Sequence, residues 1–97
     1  MNQEQEVMAI LQEECAEVIQ AISKINRFGI DNIKPGKPKT NRQHLEEEIG
    51  DLVAMVDIMI DLGVVSAEAV DNAAIAKVEK LKRWSTIFQK EDAIKLQ

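Results

Sequence analysis

A chain of 97 residues makes one domain, expected to span residues 1–97, and leaves a large share of its surface exposed unless it associates. Its 45% apolar fraction is drawn from Ile, Val, Leu, Met and Ala, with only Phe28, Trp84 and Phe88 as aromatics, a composition that favours helices over a sheet. A net charge of −5 argues against nucleic acid as a partner, one cysteine cannot make an internal disulfide, and the short, acid-interrupted apolar stretches exclude a bilayer span, so a soluble cytoplasmic protein with no membrane partner is expected.

Residues 3 to 27 place Met8, Leu11, Cys15, Val18, Ile22 and Ile25 at alternating steps of three and four, the period of an amphipathic helix. Cys15 falls on that stripe and is expected as a buried thiol. Lys24 and Arg27 suit the last turn and Gly29 the cap. Gly29, Pro35, Gly36 and Pro38 then forbid a helix, which leaves residues 29 to 40 as a basic loop. Lys34, Lys37, Lys39 and Arg42 in and beside it could close over a phosphate chain as a lid or form a plain solvated linker.

A second helix opens at Thr40 and Gln43, spaced as a capping box, and carries Leu45, Ile49, Leu52, Val56 and Met59 until Gly63. Beyond Asp51 it is apolar on nearly every side, Asp57 and Asp61 excepted. Two other helices of one short chain can hardly cover such a surface, so a second subunit is expected, in a homodimer or homotetramer. A third helix starts at Ser66 as N-cap and runs through Val70, Ala74, Val78, Leu81, Trp84 and Phe88. The expected fold is therefore all-α: an antiparallel bundle of three to four helices, completed by oligomerisation.

Charge is unevenly placed. Residues 1 to 23 hold five acids and residues 43 to 76 hold eight, and neither stretch contains Lys or Arg. An offset of 34 aligns Glu13 with Glu47, Glu14 with Glu48, Glu17 with Asp51 and Val18 with Leu52, so two helices present the same acidic pattern. At roughly 100° per residue, Glu14 lies about 40° from Val18 near the middle of its apolar stripe, and Glu17 lies about 100° from it at the edge. Glu48 and Asp51 stand in the same relation to Leu52. Stripes packed antiparallel would gather the four carboxylates beside the seam. There they would repel one another without a counter-charge, which a hard divalent cation supplies. Oxygen donors without a second Cys or His suit Mg2+, with Mn2+ as the other option, rather than zinc, and magnesium commonly shares its shell with substrate phosphates. Against this stands the plainer possibility that acid pairs three apart simply form a solvated face.

Glu13-Glu14-x-x-Glu17 followed by Glu48-x-x-Asp51, each on an apolar-striped helix and followed by a helix with Lys77, resembles the signature of the MazG-like all-α nucleoside triphosphate pyrophosphohydrolases. The resemblance covers roughly residues 7 to 84. It implies a nucleoside triphosphate substrate (NTP or dNTP) cut between the α and β phosphates to a nucleoside monophosphate and pyrophosphate. It also implies Glu14, Glu17, Glu48 and Asp51 as magnesium ligands, Glu13 and Glu47 as supporting acids that could take a proton from water, and Lys77 and Lys80 near the phosphates. Ile75 and Leu81 stand where relatives often place Asn and Arg, with Asn72 and Arg83 nearby but displaced. Arg27 is kept as a candidate substrate contact, with Phe28 able to stack on a base, although a helix-end cation beside a core aromatic is the plainer reading. His44 reads as a first-turn surface residue, and Trp84 as core or subunit contact rather than a base platform. The alternatives are a phosphoribosyl-ATP pyrophosphohydrolase, which the long basic loop disfavours, and a non-enzymatic helical oligomerisation module whose acids serve only solubility.

Overall fold

The computed structural model describes residues 1–88. Three helices form there: α1 (Gln3–Phe28), α2 (Asn41–Asp61) and α3 (Ala67–Trp84). No strand and no fourth helix occurs among the described residues, so the all-α expectation holds. Two compact units divide the chain, Met1–Val64 and Val65–Gln97.

In the first unit, each helix begins where a side chain can satisfy its orphan amides. Asn2 accepts from the Gln5 amide at 2.8 Å while the Gln5 side chain accepts from the Asn2 amide at 2.9 Å. This second capping box follows the same x-x-Gln spacing as the one at Thr40 but was not singled out in the sequence. Thr40 and Gln43 form the expected box, with Thr40 Oγ1 accepting from the Gln43 amide at 3.1 Å. α1 stops at Gly29, whose φ of 98° is closed to ordinary side chains and whose N–H donates to the Ile25 carbonyl.

Residues 29 to 40 turn the chain back so that α1 and α2 pack as an antiparallel hairpin. Both ends of this connection are tied down. The Asn41 amide donates to the Asn32 carbonyl at 2.9 Å and the Arg42 amide to the Ile30 carbonyl at 2.8 Å. The Asn41 side chain reaches the Gly29 carbonyl at 2.9 Å, and Ile33 pairs with Thr40 in an isolated antiparallel bridge. Arg42 adds an ion pair to Asp31 at 3.3 Å.

Val7, Ala21 and Met59 are buried in this unit, flanked by half-buried Leu11, Val18, Ile25, Leu45, Leu52 and Val56. The hairpin uses only one margin of each stripe: Met8, Ile22 and Ile49 remain 49%, 44% and 43% exposed. Cys15 shares that outer margin and is exposed, not buried as its place on the stripe predicts. A stripe wider than one partner helix can cover accounts for the difference.

The second unit holds α3. Ser66 is its N-cap as expected, accepting from the Ala69 amide at 3.2 Å. The helix ends at Trp84, one turn short of Phe88, because Ser85 swings to φ −137° and its hydroxyl takes the Ile87 amide at 2.9 Å. None of the α3 residues is buried, and Trp84 is 83% exposed. No described helix is long and apolar enough to cross a membrane.

Candidate metal centre

α1 supplies Glu14 and Glu17, and α2 supplies Glu48 and Asp51, each pair one helical turn apart. Glu14, Glu48 and Asp51 come together across the hairpin, each offering a carboxylate oxygen within 4.8 Å of the others. At the usual Mg–O distance of about 2.1 Å, oxygens on one magnesium ion stand about 3.0 Å apart when adjacent and about 4.2 Å when opposite, so the trio would have to draw together by up to about 2 Å to share one ion. Glu17 lies outside the trio and is exposed. Three residues along a helix turn it about 60° from Glu14, toward solvent.

The electrostatics of the trio are those of a site short of positive charge. The Glu14 carboxyl holds its proton above the ordinary glutamate value of 4.5, first because partial burial disfavours the charged form, then because Asp51, Glu48, Glu17 and Glu13 repel it. No Lys or Arg pairs with Glu14, Glu48 or Asp51 among the described residues. Oxygen-only donors, crowded and without a Lys or Arg partner among the described residues, suit a hard divalent cation such as magnesium.

Two further contacts lie at the start of α2 and in the loop before it. His44 Nε2 lies 3.3 Å from Glu48 Oε1, so a residue expected to be plain surface touches a carboxylate of the trio, Glu48, whose side chain is 15% exposed. Their spacing of four along α2 was the available signal. Lys39 Nζ, from the end of the loop, donates to Glu47 Oε2 at 2.6 Å. Nothing local in the sequence marks that pair, since the two residues stand eight apart across a helix cap.

The other candidate residues are placed as follows. Glu13 is exposed on α1. Arg27 lies over the ring of Phe28, 4.9 Å from its centroid, and Phe28 is 56% exposed, so this aromatic is a stacking partner for its neighbour and not core. In the second unit Lys77 and Lys80 are exposed on α3, without an ion pair among the described residues, whereas Lys82 pairs with Glu79 at 3.0 Å.

A family profile for the MazG nucleotide pyrophosphohydrolase domain matches residues 2–85. The chain belongs to this family. No curated protein and no solved structure matches it. As a MazG domain it carries the hydrolase fold of nucleotide pyrophosphohydrolases, and the matched stretch contains all four acids of the motif and both lysines of α3. The likeness first read from Glu13-Glu14-x-x-Glu17 and Glu48-x-x-Asp51 is thereby upheld, and the substrate of a MazG domain is a nucleotide.

Proposed function

We propose that this MazG domain hydrolyses a nucleoside triphosphate, NTP or dNTP, to the monophosphate and pyrophosphate in a magnesium-dependent reaction. The observation that carries this reading is the trio Glu14, Glu48 and Asp51, drawn from two helices to within 4.8 Å and lacking any Lys or Arg partner among the described residues. Glu17 joins as a fourth ligand by a rotamer change, since its charge already acts on Glu14. When bound, Mg2+, or Mn2+ in its place, would supply Lewis acidity toward phosphate oxygens and water.

The remaining work falls to side chains. Glu47 or Glu13 accepts a proton from the attacking water, a role generally worth about 10²–10⁴-fold in rate. Lys77 and Lys80 offset phosphate charge, and Arg27 does so once it leaves the Phe28 ring. Both units act together as one functional domain in a cytoplasmic homodimer or homotetramer. The uncovered apolar residues of α1 and α2, among them Ile19 at 67% and Val53 at 51% exposure, support the assembly.

The test is pyrophosphate release across NTPs, dNTPs and phosphoribosyl-ATP, with and without magnesium, on the wild type and Glu48→Gln. Magnesium-dependent release from triphosphates, lost in a folded Glu48→Gln variant, is expected. Turnover of phosphoribosyl-ATP alone would shift the substrate to the neighbouring pyrophosphohydrolase class. A fully active Glu48→Gln protein would remove the mechanism, and silence on every substrate would favour a helical oligomerisation module.

A further inference from the structure

The crowded acids of the hairpin divide into two kinds. Glu14, Glu48 and Asp51 face one another without a Lys or Arg, while Glu47, adjacent to Glu48, is engaged by Lys39 at 2.6 Å. Lys39 is well placed to hold a carboxylate still. The backbone that follows it is fixed by the Ile33 to Thr40 bridge, by the Thr40 amide donating to Gln43 Oε1 at 2.9 Å, and by the amides of Asn41 and Arg42 donating back to Asn32 and Ile30. The ammonium therefore leaves from a rigid point and has only its own stem to order. Glu13, the other acid considered for proton transfer, has no such partner among the described residues.

We propose that Lys39 is a positioning residue that holds Glu47 outside the metal's ligand set and aims it at the attacking water, so that Glu47 and not Glu13 takes the proton. This rests on the hydrolase reading above. A pair with side chains 45% and 51% exposed contributes little to stability, so any large effect of removing it must come through geometry at the site. Lys39 is thus the contribution of the basic connection to the chemistry: a fixed strut at its anchored end, not a lid.

The experiment is a double-mutant cycle of Lys39→Met and Glu47→Gln, with Lys39→Arg as the conservative variant. It reads kcat and KM separately on the best triphosphate and measures Mn2+ affinity by water-proton relaxation. Lys39→Met should lower kcat by about tenfold, the usual lower bound for losing a group that orients an active-site residue, with KM, Mn2+ affinity and thermal midpoint held. Lys39→Arg should recover most of the loss. In the Glu47→Gln background Lys39→Met should cost nothing further, because its only target has gone. A raised KM with kcat kept would make Lys39 a phosphate contact and overturn the proposal, as would additive losses, a fully active Glu47→Gln, or weaker Mn2+ binding in Glu47→Gln. If the wild type turns over no nucleotide, the hydrolase reading fails and takes this proposal with it. An active wild type with an additive cycle strikes Lys39 alone.

Discussion

Glu14 gives up its proton less readily than an ordinary glutamate, and this has a sign that can be measured. Its folded pKa lies above the value of 4.5 it has in an unfolded chain, so the native state binds the proton more tightly. The contribution of this residue to stability is fully present below pH 4.5 and is lost as pH rises through the folded pKa. At neutral pH without metal, Glu14→Gln should therefore raise the thermal midpoint, and the gain should shrink as the pH falls toward 4.5. A midpoint that drops at neutral pH would show that Glu14 is not under repulsion. Divalent cation should reverse the order: at about a hundred times its Kd, magnesium adds about 2.7 kcal/mol to a protein that binds it only when folded. Differential scanning fluorimetry should register that gain in the wild type and far less in Glu48→Gln.

At the scale of the helices, the start of α2 couples fold to site, because Thr40 is at once an N-cap, a bridge partner of Ile33 and the neighbour of Lys39. Thr40→Ala should destabilise the protein by about 1 kcal/mol, measured by urea unfolding, with Thr40→Ser close to the wild type. Gly50 sits inside the same helix, and a Cβ there would meet nothing within 4 Å. Gly50→Ala should then stabilise the isolated chain by about 0.5–1 kcal/mol, and a loss of stability instead would mean that something outside the chain packs against that position. The helices and their starts at Thr40 and Ser66 were legible because caps and apolar period are local properties. The end of α3 was not, since the apolar stripe continues past Trp84 while the backbone turns away at Ser85. Four acids on matched turns were also legible, but which of them converge is a tertiary fact. Rotation about α1 brings Glu14 to Glu48 and Asp51 and leaves Glu17 outside. The pair Lys39 with Glu47 depends on how the loop is tied, which no local spacing dictates, whereas His44 and Glu48 stand four apart on α2 and needed only their side chains to turn together.

At the scale of the whole molecule, the apolar stripes predict more burial than one chain delivers. Among the described residues only Val7, Ala21 and Met59 are buried, while Met8, Ile19, Ile22, Val53 and Ile58 stay open to water. Multi-angle light scattering should return at least twice the chain mass, and the thermal midpoint should climb with protein concentration. A concentration-independent monomer would leave those stripes without a reason. The exposed thiol follows from the same geometry. Cys15 is the chain's one cysteine and lies on the α1 margin with Met8 and Leu11, one residue from Glu14. A disulfide reagent added to dilute protein should therefore modify it quickly and to one equivalent, and the rate should slow as chains associate over that margin. A nitroxide attached there would stand next to Glu14, within range of a paramagnetic ion, so one engineered label could time assembly and sense metal loading without a single turnover.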